Sequence, residues 1–290
     1  MDVILGDRVA VAEQTIELAG DPVFYRHAPS VGATVLYLHG APTSSDDWLP
    51  FLELSGGLAP DLLGFGRSSK AGNLEYSLPA YVRFLESFLR ATETDEVSLV
   101  GHGWGGAIAL AFALAHPEQA QKVTIIDAVP LLPGFAWPRS VRRLRQPAVG
   151  ELIMGSMGRR LLARSLRSGT VTPEAWSEER LDAIWAQFDQ GTQRAILRLY
   201  RSIDPDGLAA AGAGLDALEV PSLVVWGEED PWMPPSFADA YRHHLLRAEL
   251  IRVNGAGHWP WLDQPAVIER VAAFASSSAP GRHDTMRGPA

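Results

Sequence analysis

The sequence predicts an α/β protein with a mostly parallel sheet, helices on both faces of that sheet and a helical cap inserted into the chain. Apolar runs of strand length alternate with stretches of helical periodicity along most of the 290 residues, which is the pattern of a parallel sheet covered by helices. This alternation stops between about Pro130 and Gly212, where the pattern is helical throughout. We therefore expect a core domain formed by residues 1–129 and 213–275, and a cap, or lid, formed by residues 130–212.

Eight segments of the sequence are predicted to form the strands of this sheet. The first two, Glu13–Leu18 and Pro22–Arg26, flank a turn at Gly20 and Asp21 and are predicted to pair antiparallel. The other six are short apolar runs, as expected of strands buried on both faces: Thr34–Leu38, Leu58–Asp61, Glu96–Val100, Lys122–Asp127, Ser222–Trp226 and Ala248–Val253. Three further segments of the core are predicted to be helices: Pro79–Arg90, Ala107–His116 and Pro265–Ala275.

Composition limits the partners and the chemistry of the chain. The net charge is −9, which favours solubility and disfavours non-specific binding to nucleic acid. The chain has no cysteine, so disulfides, thiolate metal sites and a cysteine nucleophile are excluded. No HxH or HExxH spacing occurs among the eight histidines, so no metal is expected. We expect no cofactor, and a small-molecule substrate as the partner of a monomer or homodimer.

The two ends of the chain and its apolar runs bear on localisation. The N-terminal residues have no basic segment followed by a sustained apolar run, so no signal peptide is predicted. The longest clean apolar run, Ala107–Ala115, is far shorter than the roughly 20 residues that span a bilayer. We expect a cytoplasmic protein without membrane partners. The Ser/Gly/Pro-rich tail 276–290 is predicted to be disordered.

A glycine-rich turn between a predicted strand and a predicted helix carries the strongest functional signal. Residues 101–106 read Gly-His-Gly-Trp-Gly-Gly. A sharp strand-to-helix turn needs small flanking residues, because the backbone folds back on itself, and it lifts its middle residue above the sheet at a helix N-terminus. This is the setting of the G-x-nucleophile-x-G elbow. The middle residue here is Gly103, which offers no side-chain atom where serine, cysteine or aspartate is expected.

Three other loops follow predicted strands at the edge of the sheet where ligands bind in α/β folds. The loop at His39 and Gly40 continues with Ala41, whose backbone N–H is a candidate donor to developing negative charge. Two later loops contain Asp230 and His258. A carboxylate can hold an imidazole in one tautomer and leave its other nitrogen free to act as a base. The chain order of elbow, aspartate and histidine matches that of known elbow-type hydrolases.

These motifs resemble the α/β-hydrolase superfamily over roughly residues 13–275, and in particular its haloalkane dehalogenase and epoxide hydrolase branch. The resemblance rests on HGAPTSSDDW (39–48), APDLLGFGRSS (59–69) and GHGWGG (101–106). That branch usually has GHDWGG or a near relative at the turn, with an aspartate nucleophile followed by tryptophan. The resemblance implies the α/β-hydrolase fold, with an eight-stranded, mostly parallel sheet.

The resemblance also implies a role for individual residues. Gly103 takes the nucleophile position, Asp230 matches the acid and His258 the base. The backbone N–H groups of Ala41 and Trp104 match an oxyanion hole, and the indole of Trp104 matches a halide donor. Dehalogenases often have asparagine at the position of Ala41, so the second halide donor is missing here. One residue matches an alternative acid position of some dehalogenases: Asp127.

Several other residues are candidates of lower rank. His39 and His102 are candidate substrate-binding groups, although the simpler interpretation is that His39 shapes its loop and His102 packs beside the elbow. Trp185 and Tyr200 lie at helical spacings in the predicted cap and resemble cap residues that donate to a halide or an epoxide oxygen. The cap is rich in arginine, with 12 between positions 139 and 201. A solvated face with ion-pair partners is the simpler interpretation of these arginines, and attraction of an anionic substrate is the alternative.

Three functional hypotheses follow from the glycine at position 103. Without a side-chain nucleophile no ester with the enzyme can form, so the chain is expected to use His258 and Asp230 for general acid–base chemistry on a small, mostly apolar substrate. Epoxide or ester hydrolysis by an activated water is one form of this chemistry, and a lyase- or isomerase-type reaction is another. The second hypothesis is an aspartate or serine hydrolase inactivated by substitution at Gly103. The third is a binding protein that uses the pocket without turnover.

Overall fold

A computed structural model describes residues 9–278 of the chain. Its eight strands form one sheet in the order β1-β2-β4-β3-β5-β6-β7-β8. They are β1 Ala12–Leu18, β2 Asp21–Ala28, β3 Val35–Leu38, β4 Gly57–Pro60, β5 Val97–His102, β6 Ala120–Ile126, β7 Ser222–Gly227 and β8 Ala248–Val253. Strand β2 pairs antiparallel with β1 and β4, and the remaining pairs are parallel. The predicted fold class is confirmed.

Twelve α-helices connect and cover these strands in the described part of the chain. They are α1 Leu49–Ser55, α2 Leu78–Ala91, α3 Trp104–Ala115, α4 Arg139–Leu144, α5 Val149–Gly155, α6 Arg159–Arg167, α7 Glu178–Gln187, α8 Gln190–Arg201, α9 Pro205–Ala211, α10 Ser236–His244, α11 Pro260–Asp263 and α12 Ala266–Ser276. Helix α3 begins at Trp104, three residues before its predicted start at Ala107. The core helices α1, α10 and α11 were not predicted. Helix α1 begins with the Leu49-Pro50 pair that suits a first turn.

The central strands are buried on both faces, as their apolar sequences predict. Every residue of β3, β5 and β7 is buried, because helices lie on both sides of a parallel sheet. Helix α3 lies against β5 and β6, and most of its side chains are buried. The packed helices therefore hold the carboxyl ends of the parallel strands in place, and the loops that follow these strands meet at one edge of the sheet.

The segment between β6 and β7 contains only helices, from α4 to α9. It is tied to the loop that precedes α2, because Lys70 donates to the carbonyl of Gln187 and pairs with Asp189 at 2.9 Å, and Arg194 donates to the carbonyl of Lys70. It also reaches the last loop of the core, since the backbone N–H of His258 donates to the carbonyl of Gly169 at 2.6 Å. We call residues 139–211 the helical segment.

The predicted tail lies mostly outside the described residues. Helix α12 ends at Ser276, one residue beyond its predicted end, and the description stops at residue 278. Among residues 9–278, no helix combines the length and the apolarity required to cross a bilayer.

Candidate active site

The turn between β5 and α3 is built from glycines that approach other backbone atoms closely. A Cβ at Gly101 would lie 2.2 Å from the carbonyl oxygen of Gly105, and a Cβ at Gly105 would lie 2.0 Å from that of Leu38. No other residue fits these two positions without moving the backbone. The turn is held to β6 because Gly103 donates its N–H to Ile126 at 3.1 Å. These close approaches fix the position of residue 103.

Residue 103 has room for a Cβ atom but little more. A Cβ built there would lie 3.6 Å from Nε2 of His258 and 3.7 Å from Cα of Gly40, both ordinary contact distances. The backbone angles of Gly103 are φ 55° and ψ −117°, a region that only glycine adopts without strain. A side chain at position 103 would therefore fit the space, facing the imidazole, but would strain the backbone.

The imidazole of His258 is oriented by Asp230. The two residues lie in the loops after β8 and β7, and Nδ1 of His258 is 2.7 Å from Oδ2 of Asp230. The other oxygen of Asp230, Oδ1, accepts the N–H groups of Trp232 at 2.7 Å and Met233 at 3.0 Å. Burial raises the pKa of Asp230, but His258 and these N–H groups outweigh burial and lower it. Asp230 therefore holds Nδ1 and leaves Nε2 of His258 facing residue 103.

Aromatic rings fix the plane of this imidazole. The rings of His102, Trp232 and Trp259 lie 4.5, 5.0 and 4.9 Å from that of His258, centre to centre. Sequence analysis did not single out Trp232 or Trp259. Trp232 lies two residues after Asp230, and Trp259 directly follows His258. This closeness in sequence is the signal that would have identified both residues.

A second carboxylate lies beside the first. Asp127 follows β6, is fully buried and accepts the N–H of Gly227 at 3.0 Å through Oδ1. One side-chain oxygen or nitrogen atom of each of Asp127, Asp230 and His258 lies within 4.8 Å of the corresponding atoms of the other two. Burial raises the pKa of Asp127 well above its ordinary value, and the charge of Asp230 adds to this effect.

The two predicted backbone donors flank residue 103. Trp104 is the first residue of α3, and Ala41 follows the Gly40 that contacts the space above Gly103. Within residues 9–278, no acceptor is assigned to either N–H group. The indole Nε1 of Trp104 is also buried without a partner among these residues. Its ring packs against Tyr200 at 5.6 Å and against Trp137 at 5.7 Å.

The two other predicted histidines have packing partners. His39 is fully buried, its Nδ1 lies 2.7 Å from the carbonyl oxygen of Gly40, and its Nε2 accepts the N–H of Leu62 at 2.9 Å. Both ring nitrogens are thus used by the backbone, which is against His39 as a substrate-binding group. His102 donates through Nε2 to the carbonyl of His258 at 2.7 Å. Burial lowers the pKa of His102 well below its ordinary value, so its ring is neutral.

Comparison with known proteins identifies the family. A sequence model of the Alpha/beta hydrolase family matches residues 35–271. The chain belongs to the alpha/beta hydrolase family. The match includes the turn at Gly103 and the loops of Asp230 and His258.

Several relatives of this alpha/beta hydrolase are hydrolases. A haloalkane dehalogenase of Mesorhizobium japonicum is 28% identical over 280 residues, which cover 89% of each chain. A 2-hydroxymuconate semialdehyde hydrolase of Pseudomonas sp. is 28% identical over 263 residues, covering 86% of this chain and 87% of the relative. The solved haloalkane dehalogenase DbeA of Bradyrhizobium elkani superposes with a TM-score of 0.80 at 25% identity, covering 92% of this chain and 98% of that one. Relatives of different activity thus share this scaffold.

The cavity of this alpha/beta hydrolase lies between the core and the helical segment. Its volume is about 150 Å³, and it is lined by Ala41, Trp232 and His258 from the core. The helical segment contributes mostly apolar side chains, among them Met154, Met157, Leu162, Phe188 and Ile196. It also contributes three hydroxyl groups: those of Ser140, Ser165 and Tyr200.

The two aromatic candidates of the predicted cap differ in position. Tyr200 lines the cavity, and burial raises its pKa to about 12. Trp185 does not line the cavity. It stacks on Phe188 at 6.1 Å, and Phe188 takes its place in the lining. The indole of Trp185 therefore does not reach the position that sequence analysis gave it.

Most arginines of the helical segment serve its structure. Of the 12 between positions 139 and 201, seven have ion-pair or carbonyl partners: Arg145, Arg159, Arg167, Arg180, Arg194, Arg198 and Arg201. Arg201, for example, pairs with Glu151 and donates to the carbonyls of Leu144 and Gln146. These contacts join the short helices to one another and to the core, so they favour a structural role over an anion site.

Proposed function

We propose that this chain is an enzyme that carries out general acid–base chemistry at His258 without forming a covalent intermediate. The observation that carries the proposal is the free Nε2 of His258, which lies 3.6 Å from the point where a Cβ of residue 103 would be. Because glycine has no side chain, we propose that a water molecule or a substrate atom occupies the space between its Cα atom and Nε2 of His258. The imidazole is oriented, buried and aimed at that point, as general-base catalysis requires.

Hydrolysis is the first form of the proposed reaction. Nε2 of His258 takes a proton from a water molecule above Gly103, and the oxygen of that water attacks the electrophilic carbon of an epoxide or ester. Negative charge that develops on the substrate oxygen is stabilised by the N–H groups of Ala41 and Trp104. His258 then returns its proton to the leaving oxygen, and Asp230 stabilises the imidazolium in between. One positioned acid–base group contributes about 10²–10⁴-fold to the rate, and each oxyanion donor contributes about 3–4 kcal/mol.

A lyase- or isomerase-type reaction uses the same groups differently. There His258 removes a proton from the substrate itself, and the N–H groups of Ala41 and Trp104 stabilise an enolate or alkoxide. No water attacks in this form. The products separate the two forms, because only hydrolysis adds the elements of water.

The cavity supports a small and largely apolar substrate. Methionine, leucine and phenylalanine side chains make most of its wall, and the polar groups are few and convergent, as in most small-molecule sites. We propose that residues 130–212 act as its cap. Dehalogenation is disfavoured, because Ala41 offers no side-chain donor for a halide and Gly103 offers no nucleophile.

The proposal is tested with a panel of epoxides, esters and carbonyl substrates and with two variants. We expect product from the unaltered protein, and none above background from His258→Ala. If only Gly103→Asp or Gly103→Ser forms product, the chain is a covalent hydrolase that lacks its nucleophile. If a ligand binds and is recovered unchanged from every form, the chain is a binding protein.

A further inference from the structure

Asp127 is a buried carboxyl group that the proposed reaction does not use. It stands directly after β6. The carboxyl groups of Asp127 and Asp230 belong to one cluster with the imidazole of His258, in which one oxygen or nitrogen atom of each residue lies within 4.8 Å of those of the other two. All three side chains are buried. Two carboxyl groups at this separation in a buried site do not both ionise easily, because like charges repel strongly at low local dielectric constant.

The hydrogen bonds show which of the two carries the charge. Asp230 accepts three donors: the backbone N–H groups of Trp232 and Met233 and Nδ1 of His258. Asp127 accepts one, the N–H of Gly227. Its second oxygen, Oδ2, is buried and has no donor among the described residues. An ionised carboxylate in that position would leave an oxygen unsatisfied at high cost.

We propose that Asp127 is a neutral carboxylic acid that donates its proton to the carboxylate of Asp230, and that it thereby acts as a positioning residue for the base His258. The proposal deepens the proposed function, on which its catalytic part rests. The proton satisfies Oδ2 of Asp127, and the pair of carboxyl groups carries one negative charge. Burial of Asp127, the charge of Asp230 and the hydrogen bond between the two all raise the pKa of Asp127.

The charged neighbours of the pair are few. Among residues 9–278, the one ion pair of the two carboxyl groups joins Asp230 to Nδ1 of His258 at 2.7 Å. His102 lies behind His258, with ring centres 4.5 Å apart, and burial lowers the pKa of His102 so that it is neutral. Within the described range, no arginine or lysine forms an ion pair with Asp127 or Asp230.

The neutral acid has a consequence for the reaction. Two ionised carboxylates beside His258 would stabilise its imidazolium form, which cannot act as a base. One shared negative charge orients the ring and still stabilises the imidazolium that forms during turnover. Asp127 therefore keeps His258 available as a base while it fixes the position of Asp230.

Asparagine is the discriminating substitution, because it copies the shape and the hydrogen-bond donor of a neutral aspartic acid. We expect Asp127→Asn to keep kcat/KM within about threefold and to leave the pH–rate profile unmoved. Asp127→Ala, which removes the donor, is expected to lose about 10-fold or more. An acid limb of the Asp127→Asn profile that moves by a pH unit or more would overturn the proposal, since this result requires that a charge was lost.

Two measurements on the resting protein separate this proposal from the proposed function. Infrared spectroscopy is expected to show a protonated carboxylic C=O band that disappears in Asp127→Asn. The band is expected to persist in the matched control Asp61→Asn, which removes another fully buried carboxyl group, one that is paired with Arg67 at 2.9 Å. If the band is present and no substrate turns over, the proposed function fails and this proposal stands.

The second measurement is stability against pH. The folded state binds a proton at Asp127 where the unfolded chain, with an aspartate pKa of about 3.9, does not. Stability from this group is present at low pH and is lost as the pH rises above about 4, by up to tenfold in the unfolding constant per pH unit. Asp127→Asn is expected to remove this slope. An unchanged slope, or a divalent cation that co-purifies with the protein and is lost in Asp127→Asn, would refute the proton assignment.

Discussion

The two sides of the candidate site differ in what they offer a substrate. On one side, His258 and Asp230 form a buried hydrogen-bonded pair surrounded by aromatic rings. On the other side, residue 103 offers only backbone, at the turn between β5 and α3. We call the first side the acid–base side, because we propose that it carries the acid–base chemistry. The two sides are built by different parts of the chain: the loops after β7 and β8 hold Asp230 and His258, and the turn between β5 and α3 holds residue 103.

The largest effect is expected on the acid–base side. His258→Ala removes the group that takes and returns the proton, so kcat/KM should fall by about 10⁴-fold, the upper end for one positioned group. Steady-state kinetics with the substrate found in the panel measure the loss. His243→Ala, at an exposed position of α10, is the control and should keep full activity. A His258→Ala variant with undiminished turnover would remove the acid–base side from the mechanism.

A smaller loss is expected when the orienting carboxylate is neutralised. Asp230→Asn keeps the shape of the side chain but no longer stabilises an imidazolium, and its amide group can hold Nδ1 in the wrong tautomer. We expect kcat/KM to fall by about 10²–10³-fold, measured across the pH range. An Asp230→Asn variant as active as the unaltered protein would show that the imidazole is oriented by its aromatic neighbours alone.

The side at residue 103 is tested by adding the smallest side chain, a single methyl group. Gly103→Ala places a methyl group 3.6 Å from Nε2 of His258, where the proposal places water or a substrate atom. We expect a loss of about 10- to 100-fold in kcat. The positive φ of residue 103 should also lower the free energy of unfolding by about 1–3 kcal/mol, measured by urea denaturation. Unchanged activity would show that neither water nor substrate uses the space between Gly103 and His258.

The smallest effect is expected in the helical segment. Tyr200→Phe keeps the ring contacts with Trp104 and Trp137. It removes only the hydroxyl group that Tyr200 contributes to the cavity wall. KM should rise by about 2- to 10-fold, the value of one neutral hydrogen bond, with kcat unchanged. A fall in kcat as large as that of Asp230→Asn would instead give Tyr200 a part in the chemistry.

The sequence predicted the core better than the helical segment, and the reason is physical. Buried parallel strands are continuous apolar runs, and the loops after them converge whatever their length. The positions of Gly103, Asp230 and His258 at one edge therefore followed from local patterns. The short helices of the segment 139–211 pack through tertiary contacts that periodicity does not encode. Sequence analysis accordingly chose Trp185, whereas Phe188 lines the cavity.

Asp127 shows a second limit of the sequence. Its place at the end of a strand was visible, and the resemblance to known hydrolases marked it as an alternative acid. That it lies beside Asp230 in one buried cluster depends on the register of β6 against β7, where Ile126 stands opposite Val225. Pairing between strands almost 100 residues apart cannot be read from either segment alone.

Intact-protein mass spectrometry during turnover tests the central claim most directly. The unaltered protein is mixed with saturating substrate, quenched while product is forming, and compared with Gly103→Asp treated in the same way. We expect the unaltered protein to form product with no increase in its own mass at any time. We expect a trapped ester only in the variant, on residue 103. A substrate-derived adduct on any side chain of the unaltered protein would contradict it.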